Sequence, residues 1–64
     1  MKAKAKIEKA LGDNNMTGRI WKGYSAFTQR DGWHVSNGQD WFLGTNVADA
    51  VDTIEALAEA RSYA

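Results

Sequence analysis

The chain has 64 residues, with eight basic and eight acidic side chains and neither Cys nor Pro. A domain this small buries only about 60% of the surface its unfolded chain exposes, so residues 1–64 are read as a single small domain with no room for a deep interior cleft. Without Cys there is no disulfide, thiolate zinc centre or cysteine nucleophile, and a formal net charge of zero disfavours a strongly basic nucleic-acid binder.

The charge is unevenly spread. Residues 1–32 carry seven basic against three acidic side chains, and residues 33–64 carry one against five, a net of +4 and of −4. This division is expected of two helices of opposite sign in one fold. No apolar run approaches the roughly 20 residues of a membrane span. The Lys-Ala alternation of Met1 to Leu11 is not the apolar stretch of a signal peptide. A cytoplasmic protein is expected.

Residues 2–11 read as a short helix, with Ala3, Ile7, Ala10 and Leu11 on one face and a stop at Gly12 followed by Asp13-Asn14-Asn15. It is too short to stand alone in water and must pack on the rest. Residues 17–29 read as the first strand, rich in aromatic and β-branched residues, with Gly23 marking a candidate bulge. Arg30-Asp31-Gly32 reads as a three-residue hairpin loop with Gly32 at its left-handed position. Trp33-His34-Val35-Ser36 is the second strand. Asn37-Gly38 is a two-residue hairpin signal, and Gln39 to Leu43 is the third strand, ended by Gly44. Thr45 or Asn46 caps a helix that runs to about Arg61. Its apolar stripe of Val47, Ala50, Val51, Ile54, Leu57 and Ala58 faces the core. The expected architecture is α+β, in the order α-β-β-β-α: a three-stranded antiparallel meander with both helices on one sheet face.

Strand register then decides which residues are left for function. The three-residue first loop puts Trp21, Phe27, Trp33 and Val35 on the core face, and the two-residue second loop adds Phe42. The other face collects Ile20, Lys22, Tyr24, Ala26, His34, Ser36, Trp41 and Leu43. A competing register of the second hairpin exchanges Phe42 with Trp41 and Leu43. With two short helices available, one sheet face stays open, and a Tyr-His-Trp-Leu patch on it exceeds scattered surface apolarity.

Chemical signals are mostly negative. His34 and Ser36 with a carboxylate suggest a triad, but residues two apart on a strand sit about 6–7 Å apart, beyond hydrogen-bond reach. The chain also has no nucleophile elbow. Asp49, Asp52, Glu55 and Glu59 form a helical stripe that reads as a solvated face rather than a cation site. Glycines are scattered at turns, not gathered in a phosphate loop. No catalytic residue, metal or cofactor is expected.

The expectation is a non-enzymatic protein-binding module. Tyr24, His34 and Trp41 are its anchors, Leu43 joins them, and Lys22 is a rim charge. Self-association into a homodimer through that face or a sheet edge is a version of the same idea. A short reading frame with its own Met suits a phage-type accessory protein or inhibitor that blocks a larger host complex. The rival reading is a nucleic-acid binder that stacks bases on the open sheet face and tracks phosphates with Arg19, Lys22, Arg30 and the N-terminal lysines.

Overall fold

The structure, a computed structural model, describes residues 2–60. Its elements are α1 (Ala3–Asp13), β1 (Arg19–Ser25), β2 (Arg30–Ser36), β3 (Asp40–Gly44) and α2 (Val47–Ala60). The strands form one antiparallel sheet in the order β1-β2-β3. The fold is the expected α-β-β-β-α arrangement, α+β, with both helices contributing to a core on one sheet face.

Local chemistry explains the helix ends. The first helix runs past Gly12 and stops where Asn15 takes a left-handed conformation, φ 57°. Asn tolerates that region better than most residues. The Asn14 side chain donates to Ala10 O at 2.8 Å, and Met16 N donates to Leu11 O at 3.0 Å, so the last carbonyls are satisfied. At the start of α2, Asn46 Oδ1 accepts the Asp49 N–H at 2.9 Å, while Asn46 Nδ2 donates to the Asp49 carboxylate at 3.1 Å. Asn46 is therefore the cap. The expected helix end near Arg61 lies outside the described residues.

The core comprises Ile7 and Leu11 of α1, Ile20, Trp33, Val35 and Leu43 of the sheet, and Ala50 and Ile54 of α2. Trp41, Val47 and Leu57 pack against it, partly buried. The helical spacing read from α2 thus selects the correct face, whereas the sheet departs from expectation. Ile20 and Leu43 are inside, and Phe27 is 67% exposed.

Both hairpin loops cause this difference. The first loop spans residues 26–29, because Ser25 pairs with Arg30. Gln29 takes the left-handed conformation, φ 59°, and its N–H donates to Ser25 O at 2.7 Å. The strand therefore ends earlier than its composition suggests, and Phe27 sits in the turn. In the second hairpin Ser36 pairs with Asp40, giving a three-residue loop. That extra residue shifts β3 by one position, which moves every side chain to the opposite face. Trp41 comes opposite Val35, and Phe42 comes opposite His34. This is the competing register.

Ile54 and Ile7 are both fully buried, one on each helix. Ile54→Ala and Ile7→Ala are each expected to cost about 2–5 kcal/mol, a large share of the stability of so small a domain. Urea unfolding monitored by Trp fluorescence measures both. An Ile7→Ala curve superimposable on wild type would mean that α1 does not contribute to the core.

Candidate functional site: a hairpin tip braced by a buried polar cluster

The face of the sheet opposite the helices is not left bare. By strand alternation it carries Trp21, Gly23 and Ser25 of β1, Gly32, His34 and Ser36 of β2, and Asp40 and Phe42 of β3. Ser25 pairs with Arg30 and Asp40 pairs with Ser36. Arg30 and Ser36 lie six residues apart on one strand, about 20 Å if that strand were flat. Nevertheless, Ser25 Oγ donates to Asp40 Oδ2 at 2.6 Å. The ladder must therefore bend sharply between these pairs.

The bend falls at the directly paired Gly23 and Gly32, with φ of 155° and 151°. Side-chain-bearing residues rarely adopt these values. A Cβ on Gly32 would also lie 2.6 Å from the Gly44 carbonyl oxygen. The missing Cβ on Gly32 makes room for the Gly44 carbonyl of β3, and the positive φ of both paired glycines accommodates the bend.

The folded tip closes a connected set of hydrogen bonds. Trp21 Nε1 donates to Ser36 Oγ at 2.8 Å, and Ser36 Oγ donates to Asp40 Oδ1 at 2.7 Å. Ser25 Oγ accepts the Thr28 N–H at 3.2 Å while donating to Asp40. Thr28 Oγ1 lies 2.7 Å from His34 Nε2, and His34 Nδ1 lies 3.0 Å from Gly32 O. A carbonyl can only accept, so Nδ1 carries a hydrogen. In the neutral ring Nε2 then accepts from the Thr28 hydroxyl. Trp21 stacks on the imidazole with centroids 4.5 Å apart, and Phe42 meets it edge-on at 5.4 Å. Among the described residues no buried side-chain polar atom lacks a partner.

The two serine hydroxyls hold the Asp40 carboxyl below its ordinary value of 3.8. Nearby His34 and Arg19 act in the same direction, while partial burial opposes them.

The five side chains expected to form one patch are dispersed. Leu43 is in the core at 2% exposure, and Trp41 packs partly buried against that core. His34 does lie on the face without helices, but it is fully buried beneath the tip. Lys22 is exposed on the same side of β1 as Ile20, its Nζ 5.7 Å from the Trp33 ring centroid. Tyr24 is 64% exposed, as expected of an anchor, but it alternates with Ile20 and Lys22 on the helix side of β1 rather than on the open face. The physical cause is the β3 shift together with the fold-back. Phe27, expected inside, joins Tyr24 at the tip instead.

The hydroxyl partner of His34 is Thr28, not Ser36. A hydroxyl, an imidazole and an orienting carbonyl are the components of a nucleophile–base pair. However, the Thr28 and Gln29 N–H groups are both committed within the turn. They are not available to stabilise an oxyanion. The neighbouring groove of about 410 Å³, lined by Arg30, Phe42, Thr45, Asp49 and Asp52 among others, does not include Thr28. The cluster fastens the tip. Gly23, expected to mark a bulge, is instead regularly paired with Gly32, and the irregularity in the ladders lies between Trp33 and His34.

No helix among the described residues is long and apolar enough to cross a membrane. No family model, curated protein or solved structure matches the chain.

The depressed Asp40 acidity carries a signed expectation. A carboxyl more acidic in the folded than in the unfolded state stabilises the fold above its unfolded value. That contribution is lost as pH falls through the folded value. Asp40→Asn should therefore lower stability near neutral pH, and its deficit relative to wild type should shrink below about pH 4. Urea midpoints of both proteins across that range test this. A deficit independent of pH would assign the effect to geometry rather than charge.

Proposed function

We propose that the chain is a cytoplasmic, non-enzymatic module that binds another protein through the tip of its first hairpin. One observation carries the reading. The large hydrophobic side chains recorded as exposed, Tyr24 at 64% and Phe27 at 67%, both belong to this tip, and the tip is braced from beneath by Ser25, Thr28, His34 and Asp40. Exposed aromatics on a pre-ordered support lose little entropy on docking and are common interface anchors. A projecting aromatic knob fits a concave apolar cleft on a larger protein, and inhibition of such a complex, including a host complex targeted by a phage, is one form this binding would take. The lack of Cys in so small a chain favours a reducing compartment.

The rival nucleic-acid reading needed an open sheet face for base stacking. Trp21 and His34 stack on one another there, and His34 is covered.

A photoreactive phenylalanine analogue in place of Phe27 is expected to cross-link a protein in cells that express the chain. The same group at Glu55, on the exposed side of α2, is expected not to. Tyr24→Ala/Phe27→Ala should keep the wild-type circular dichroism and melt within a few degrees of it, yet lose the captured partner; each such anchor is typically worth about 2 kcal/mol or more. Equal capture by the double variant would reject the tip as the surface. Salt-sensitive capture of DNA or RNA alone would favour the rival.

A further inference from the structure

We propose that residues 24–31 form a hinged flap that pivots at Gly23 and Gly32, with Asp40 and His34 as the two latches that hold it closed over the sheet. The first ground is how the tip is held. No side chain of residues 24–31 belongs to the hydrophobic core or packs against it, and Tyr24 and Phe27 point into solvent. The tip is fixed to the sheet face by the Ser25–Asp40 and Thr28–His34 hydrogen bonds, with the Arg30 guanidinium 5.0 Å from the Phe42 ring centroid. A segment held by polar contacts without apolar burial belongs to the low-stability end of a fold and opens separately from it.

The second ground is the pivot. Gly23 and Gly32 face each other across the ladder. At this one level neither strand carries a side chain, so the backbone on both sides can change conformation together. Opening would uncover the His34 imidazole, which has no exposed surface when closed, and release the Asp40 carboxylate from Ser25.

The Asp40 latch is a carboxylate. The Asp40 carboxylate faces Arg19 from β1 and His34 from β2, besides the hydroxyls of Ser25 and Ser36. Protonating it removes the charge that strengthens the Ser25 bond, so acid favours the open flap. The closed flap is what presents Tyr24 and Phe27 in a fixed arrangement. The flap itself is a property of the unbound protein and stands or falls independently of any partner.

Hydrogen exchange on the full chain tests it. In Ser25→Ala/Thr28→Val, protection at Gln29, whose N–H keeps its Ser25 O acceptor, should fall by about tenfold or more, the effect of losing two net hydrogen bonds. Protection at Val35 and Ile54 should stay near wild type. His34 should also react faster with diethylpyrocarbonate. In wild type, acidification below about pH 4, through the depressed Asp40 value, should lower tip protection selectively. Unchanged tip protection would overturn the proposal, and so would equal loss at the tip and at Ile54, because the tip would then be part of the global unit. If the double variant does not fold, wild-type exchange in sub-denaturing urea decides. The flap requires tip amides to exchange through a urea-insensitive opening while Ile54 exchanges through a urea-dependent one.

Discussion

Burying an imidazole completely requires a partner for each ring nitrogen, since an unsatisfied polar atom in the interior costs more than a hydrogen bond gains. In this protein His34 obtains one partner from its own strand, at Gly32 O, and the other from a turn six residues earlier, at Thr28. The second is reachable only if the hairpin folds back on itself. The paired glycines, the four-residue turn, the Ser25–Asp40 bond and the exposure of Tyr24 and Phe27 all accompany that single closure.

The two faces of the sheet are consequently stabilised by different physics. Toward the helices, burial of Ile7, Leu11, Ile20, Val35, Leu43 and Ile54 removes apolar surface from water. On the other side the buried His34 and Ser25 are joined to half-buried Trp21, Thr28, Ser36, Asp40 and Phe42 by hydrogen bonds and ring contacts. A fully satisfied polar network of this kind rigidifies its surroundings and specifies one arrangement. Two short helices cannot cover both sides of a three-stranded sheet. The chain covers the second side with its own hairpin.

This division also separates stability from recognition. Among the described residues, the large hydrophobic side chains that stand exposed, Tyr24 and Phe27, lie in or beside the turn at residues 26–29. The acidic stripe of α2 is more ordinary: Asp49 takes part in the Asn46 cap, and Asp52, Glu55 and Glu59 are exposed, as solvated helix faces are.

The set of local elements follows from short-range chemistry. The 3.6-residue spacing of Ala50 and Ile54 identified the buried side of α2, the Asn46 side chain supplied its cap, and the alternation of strand-forming runs with turn residues gave three strands in the right order. These signals act within a few residues, and local backbone chemistry suffices for them. Register was decided only in the tertiary structure. One more residue in the second hairpin loop exchanged Phe42 for Leu43 and Trp41 at the core, and a first turn placed at residues 26–29, upstream of the Arg30-Asp31-Gly32 loop the motif suggests, sent Phe27 to the surface and put Arg30 to Gly32 in β2. Loop length is settled by what the side chains reach after closure: Asp40 must meet Ser25 and Ser36, and Thr28 must meet His34. Those partners are four to fifteen residues apart. Ser36 reaches Asp40 directly across the second turn, whereas Ser25–Asp40 and Thr28–His34 come together through the bend at Gly23 and Gly32.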